Sequence, residues 1–164
     1  MTSDAPAQES ETAFAGAVHG TSVAIGGQGV LIRGPSGAGK SDLALRLIDR
    51  GAVLLSDDYT QVSREGEAVI CAAPEHIAGL IEMRGLGIVP LAHIPRAPLA
   101  LIVILHGNDD PTPERHPSPL PTHRLCGQEL PFLSLRGFEA SAPIKIELAL
   151  RHLNRQNERG DAMR

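Results

Sequence analysis

Gly34-Pro35-Ser36-Gly37-Ala38-Gly39-Lys40-Ser41 is a complete GxxxxGK[ST] phosphate loop. Its surroundings fit the motif. The apolar run Gly29 to Ile32 leads in as a strand. Ser41 to Arg50 (SDLALRLIDR) follows with Leu43, Ala44, Leu47 and Ile48 at helical spacing, and Gly51 stops it. A strand, a glycine turn and a helix in that order bring successive backbone N–H groups and a helix N-terminus to face the phosphates of a nucleotide. Lys40 adds a positive charge there, and Ser41 offers a hydroxyl to Mg²⁺. The candidate nucleotide-binding residues are therefore Gly34, Pro35, Ser36, Gly37, Ala38, Gly39, Lys40 and Ser41. The expected fold class is α/β, with a mixed sheet around the phosphate-loop helix.

Upstream of the loop, Thr21 to Ile25 and Gly29 to Ile32 are two β-type runs joined by Gly26, Gly27 and Gln28, which predicts a hairpin. Residues 1–12 are small, polar and acidic without periodicity, and read as a disordered leader. Downstream, Ala52 to Leu55 is a short apolar strand that ends at Asp57 and Asp58. Thr60 to Val62 and Val69 to Ala72 continue as strands, and Pro74 starts a loop or short helix. Leu80 to Leu91 (LIEMRGLGIVPL) is apolar text interrupted by Gly85 and Gly87, and Leu99 to Leu105 reads as a buried strand. Eight of the 13 prolines lie between Pro90 and Pro121, so residues 107–123 read as a long loop. Phe132 to Leu135 is a further strand candidate, and Ile144 to Asn154 reads as a terminal helix. One domain over residues 13–155 and a flexible tail over 156–164 follow.

Composition narrows the function. The chain has 164 residues and a net charge of -4, without a lysine- or arginine-rich stretch, which argues against a nucleic-acid surface. Its longest apolar run, Pro98 to Leu105, is far shorter than the roughly 18 to 20 residues of a membrane span. The two cysteines, Cys71 and Cys126, form no CxxC pair, so a reducing cytoplasm is the expected compartment and a small buried hydrophobe the expected role of each. The aromatics are Phe14, Tyr59, Phe132 and Phe138, so the core must be aliphatic.

A phosphate loop needs an accepting group. Asp57 and Asp58 close the strand that follows the phosphate-loop helix, and parallel strands around such a helix end at the nucleotide. One carboxylate would hold Mg²⁺, directly or through water, and the other would take a proton from an attacking hydroxyl. His19 precedes the hairpin that enters the loop, so the chain can return it toward the site. Glu82 and Arg84, two apart, share one face if extended, beside glycines that let a ligand approach the backbone. His106, Asp109, Asp110, His116 and His123 are metal-ligand types, but their spacings match no compact site.

His19 upstream of GPSGAGKS, the text GAVLLSDD after it, and LIEMRGLGIV together resemble the catalytic domain of the HPr kinase/phosphorylase family, over roughly residues 17–151. The resemblance implies a nucleotide-binding core like that of phosphoenolpyruvate carboxykinase and a homo-oligomer, a hexamer. It also implies phosphorylation of a serine on the phosphocarrier protein HPr with ATP and Mg²⁺. In reverse, inorganic phosphate would attack phosphoserine to give pyrophosphate. Carried over by motif, Asp58 is the general base, Lys40 and His19 are catalytic, and Ser41 and Glu82 are metal ligands, with Asp57 beside them. Many relatives carry a separate N-terminal domain, so this chain corresponds to the catalytic module. The family's basic loop, roughly PVRPGRN, lies before its last strand and helix. Here the corresponding text is LSLRGFEASAP over 133–143, which leaves Arg136 as the one cation to take that loop's role. On the residues alone, two other readings stay open: a small-molecule phosphate-loop kinase, and a catalytically weak, nucleotide-binding regulatory protein.

Overall fold

The computed structural model describes residues 15–107, 109–111, 113–115 and 119–162; the expected leader lies outside them. In chain order these residues form β1 (Ala15–His19), β2 (Thr21–Ile25), β3 (Gln28–Arg33), α1 (Lys40–Asp49), β4 (Val53–Ser56), β5 (Tyr59–Glu65) and β6 (Ala68–Ala72). A 3-10 turn (Glu75–Ile77) follows, then β7 (Leu80–Met83), β8 (Gly87–Pro90), β9 (Arg96–His106), β10 (Thr122–Leu125), β11 (Gln128–Arg136) and α2 (Ala142–Ala162).

Strand β9 is the spine of a mixed sheet. Its first residues pair antiparallel with β6, and its later ones pair in parallel with β3 on one side and β11 on the other. Beyond β3 come β2 and then β4, each antiparallel to its neighbour, so β4 runs in the same direction as β3. The order β11-β9-β3-β2-β4 therefore sends four strand ends to one edge. The phosphate loop follows β3, Asp57 and Asp58 follow β4, and Gly137 and Phe138 follow β11. The expectation that the two aspartates close a strand aimed at the nucleotide holds, although the strand bonded to β4 is antiparallel. Strands β7 and β8 form a separate two-stranded hairpin.

Period-two alternation along the strands separates two cores. Val30, Ile32, Val103 and Leu105 join Leu43, Ala44 and Leu47 of α1 and Ala142, Ile146 and Leu150 of α2. Leu31 and Ile102 face the other way, onto Val62, Val69 and Cys71. Each buried Leu or Ile contributes roughly 1.5–3 kcal/mol, which is how a core with so few aromatic rings holds. Both cysteines are buried thiols outside any disulfide, and burial, with Cys126 nearby, pushes the Cys71 thiol up to about 12.

The helices are tied to each other and to the hairpin by polar contacts. Arg50 donates to both carboxylate oxygens of Glu147, at 2.7 to 3.1 Å, and Gln28 and Asn154 exchange two side-chain bonds of 2.9 and 3.0 Å.

Three sequence expectations change. Thr122 and His123, read as the end of the 107–123 loop, open β10, paired with β11; the prolines before it masked the pattern. The interrupted text Leu80 to Leu91 is the β7–β8 hairpin, with Gly85 and Gly87 at positive φ in its turn region. Phe132 to Leu135, expected as a strand, is the later part of β11, paired with Ile102–Leu105, so the text set against the family's basic loop begins inside that strand. Helix α2 continues to Ala162, past Asn154, because the polar residues that follow are mostly good helix formers and need no apolar face. Among the described residues no helix is long and apolar enough to cross a membrane.

Candidate functional site

The edge where the strands end carries a cleft of about 760 Å³ lined by phosphate-loop residues, His19, Asp58, Glu82, Arg84 and Phe138. Helix α1 opens it. Gly39, at φ +99°, makes the left-handed turn into the helix that a side-chain-bearing residue would resist, and no side chain caps the first turn. Uncapped amides and a positive helix end suit a phosphate. Lys40 is 9% exposed and its ammonium donates to the carbonyls of Gly34 and Pro35 at 2.9 and 3.1 Å, which folds it over the loop. Burial lowers its pKa, and the nearby Asp58 and Asp57 charges oppose that shift.

Asp57 is buried and organises the site. Its Oδ1 accepts from Ser41 Oγ at 2.7 Å and from Thr21 Oγ1 at 3.1 Å, and its Oδ2 accepts the Glu82 backbone N–H at 3.0 Å. One carboxylate thus fastens the start of α1, strand β2 and the β7–β8 hairpin. Thr21 completes the knot by accepting the Asp58 N–H at 3.1 Å. Sequence reasoning missed Thr21, since a threonine at the head of an apolar strand carries no signal of its own.

Asp58 differs from its neighbour in every respect. It is exposed, with φ +67°, and the Tyr59 N–H bonds back to the Asp57 carbonyl at 2.7 Å, closing a tight γ-turn around it. A non-glycine residue held this way is strained, and such strain clusters at functional sites. The β1–β5 register sets His19 opposite Tyr59, which brings His19 Nε2 within 3.1 Å of Asp58 Oδ1. An ionised carboxylate only accepts, so the imidazole N–H donates. The Tyr59 ring leans on His19, with centroids 5.3 Å apart, and is a second contact that sequence reading did not single out.

Ser41, Glu82 and the buried Asp57 supply hard oxygen donors beside the loop, a set that suits Mg²⁺ shared with phosphate oxygens. Among the described residues no cluster of three His, Cys, Asp or Glu side chains is placed to hold a metal by itself. His106, Asp109, Asp110 and His123 form no metal cluster, and His116 lies outside the described residues.

Arg136 departs from its expected place. It lines a separate, smaller pocket of about 270 Å³ that reaches the loop only at Gly37 and Ala38. Its guanidinium donates to the carbonyls of Gly107 and Asp110 at 2.6 and 3.0 Å, because its pairing opposite His106 points it at the segment leaving β9. Arg84, in the hairpin turn, is the arginine that lines the main cleft.

A strand, glycine loop and helix at the centre of a mixed sheet, with an aspartate pair at the end of a strand two places away, define a phosphate-loop α/β fold, which fits the phosphoenolpyruvate carboxykinase-like core that the family resemblance implies. Comparison with known proteins narrows the class. A sequence model described as the HPr Serine kinase C-terminal domain matches residues 10–95, and the chain belongs to that family. An HPr kinase/phosphorylase of Geobacillus sp. (strain WCH70) is 50% identical over 82 residues, 49% of this chain and 26% of that protein. One of Chlorobium phaeobacteroides (strain BS1) is 32% identical over 126 residues, 71% of this chain and 37% of that protein. The chain thus spans about a quarter to just over a third of these two relatives. The solved structure of the Hpr(Ser) kinase/phosphatase from Coxiella burnetii matches with a TM-score of 0.79 at 26% identity, covering 90% of this chain and 96% of that one.

Proposed function

We propose that the protein is an ATP-dependent serine kinase whose acceptor is the phosphocarrier protein HPr, and that the same cleft supports phosphorolysis of the product. The observation that carries this reading is the 3.1 Å bond from His19 to the exposed Asp58 carboxylate at the mouth of the phosphate-loop cleft. The family membership and the names of the relatives support the choice of acceptor.

In the forward direction Asp58 takes the proton of the serine hydroxyl as its oxygen bonds to the γ-phosphorus. The bond from that phosphorus to the bridging oxygen breaks, and ADP leaves with the electron pair. The transfer is loose and metaphosphate-like, so Asp58 need accept the proton only late. His19 holds the carboxylate by the N–H bond and keeps one oxygen turned toward the acceptor. Lys40 and the amides of the loop spread the phosphate charge. Ser41 and Glu82 would hold Mg²⁺, which neutralises phosphate oxygens when bound, and Asp57 orients Ser41 through the 2.7 Å bond. In reverse, an oxygen of inorganic phosphate bonds to the phosphoserine phosphorus, the bond from that phosphorus to the serine oxygen breaks, Asp58 gives the leaving serine oxygen its proton, and pyrophosphate is the product. In this reading Arg136 steadies the segment after β9 rather than the reacting phosphate.

The Asp58 side chain, 63% exposed, favours an acceptor serine on a protein surface over an enclosed metabolite. A cytoplasmic hexamer using ATP and Mg²⁺ completes the reading. Incubation with Mg²⁺, ATP and HPr, followed by mass spectrometry, should place one phosphate on an HPr serine, and added phosphate should then release pyrophosphate. ATP binding without any phosphorylation of HPr would contradict the kinase reading in favour of a regulatory nucleotide-binding role.

A further inference from the structure

The flanks of the phosphate loop differ in chemistry. In the order β11-β9-β3-β2-β4, the loop leaves the central β3, the Asp57–Asp58 end belongs to β4, and the turn carrying Phe138 follows β11 on the opposite side. A nucleoside triphosphate laid along the loop with its terminal phosphate at Asp58 therefore directs its base toward Phe138.

That flank is built for an aromatic contact. Phe138 is 64% exposed and lines the cleft, while its ring lies against Gly39, where an added Cβ would come within 3.0 Å of it. The backbone on either side of the ring is fastened to the phosphate-loop helix: Arg46 donates to the Gly137 carbonyl and, at 3.0 Å, to the Glu139 carbonyl, and also bonds Asp42 at 2.9 Å. Gly137 packs so closely on Ala38 that a Cβ would sit 2.3 Å from its carbonyl oxygen. A phenyl ring left in water yet held this firmly is a preorganised surface for a flat apolar group. The other large apolar groups in the cleft, Met83 and Leu86, belong to the hairpin fastened to Asp57 and so to the transfer flank.

We propose that Phe138 is the platform on which the base of the bound nucleotide stacks. This rests on the nucleotide reading above, and it assigns the base to the turn after β11.

Titration calorimetry with Mg-ATP and with Mg-tripolyphosphate, which lacks the base, separates the possibilities. Phe138→Ala should weaken ATP about tenfold or more, the scale of one base–aromatic stack, and leave tripolyphosphate within twofold. Phe138→Trp should keep ATP affinity, and its indole, the one tryptophan in the chain, should be quenched by ATP and not by tripolyphosphate. An equal loss for both ligands in Phe138→Ala would overturn the proposal, because the ring would then only prop the loop. So would unchanged ATP affinity with weakened HPr phosphorylation, which would make the ring a protein contact while the kinase reading stands. A wild-type protein that binds neither ligand would remove the nucleotide reading itself, and this proposal with it.

Discussion

His19 and Asp58, 39 positions apart in the chain, are joined by a 3.1 Å hydrogen bond that the β1–β5 register enforces. A bond to a charged group is worth about 1.5–3 kcal/mol. His19→Ala should therefore slow phosphoryl transfer roughly 10- to 100-fold while ATP affinity stays within twofold. The pH profile of transfer should also change shape, which separates an electrostatic partner of Asp58 from a merely structural residue.

Asp57 accepts from Ser41, Thr21 and the Glu82 backbone, so its removal strands three donors at once. Asp57→Ala should lower stability to urea by about 2–4 kcal/mol, at the upper end for a buried, charged hydrogen-bond hub. The β7–β8 hairpin should lose hydrogen-exchange protection first. A loss below about 0.5 kcal/mol would show that the knot is not what fastens the hairpin.

Gly137→Ala would put a methyl group 2.3 Å from the Ala38 carbonyl oxygen. The Leu105 side chain, also close at 2.9 Å, can turn aside, but the Ala38 atoms are backbone, so the phosphate loop itself must shift. The expected cost is about 1–3 kcal/mol of stability, together with weaker binding of both ATP and tripolyphosphate, measured by calorimetry. Unchanged binding of both would show that the turn and the loop move independently.

His123 is 6% exposed, and its Nε2 meets no hydrogen-bond partner among the described residues. Burial, with Arg33 nearby, holds its pKa below the ordinary 6.5, so the folded protein prefers the neutral ring and the unfolded chain takes up the proton first. Its contribution to stability is full above the ordinary histidine value and is lost as pH falls through the lowered folded value. His123→Phe should flatten the drop in melting temperature between about pH 7 and pH 5. An identical drop in the variant would assign the acid sensitivity to other groups.

What the sequence revealed was local. The phosphate loop, α1, the β2–β3 hairpin and the aspartate pair at a strand end are each specified by neighbours in the chain, and all are present. Thr21 could not be found that way, because its partners Asp57 and Asp58 reach it only through the β2–β4 pairing. The direction of Arg136 was equally hidden. Motif position carried it to the reacting phosphate, but its register opposite His106 commits the guanidinium to backbone carbonyls. Phe138 passed unnoticed for a related reason: a phenylalanine in a glycine-containing turn reads as spare core until the sheet order puts it beside the loop.

The central claim is that Asp58 is the group that receives the acceptor serine's proton. Single-turnover transfer from γ-labelled ATP to HPr, run with the wild-type protein and Asp58→Asn at matched ATP occupancy, tests it most directly. The account predicts label on an HPr serine with the wild type and a rate at least about 100-fold lower with Asp58→Asn, with ATP affinity preserved. Transfer by Asp58→Asn at near wild-type rate would contradict it.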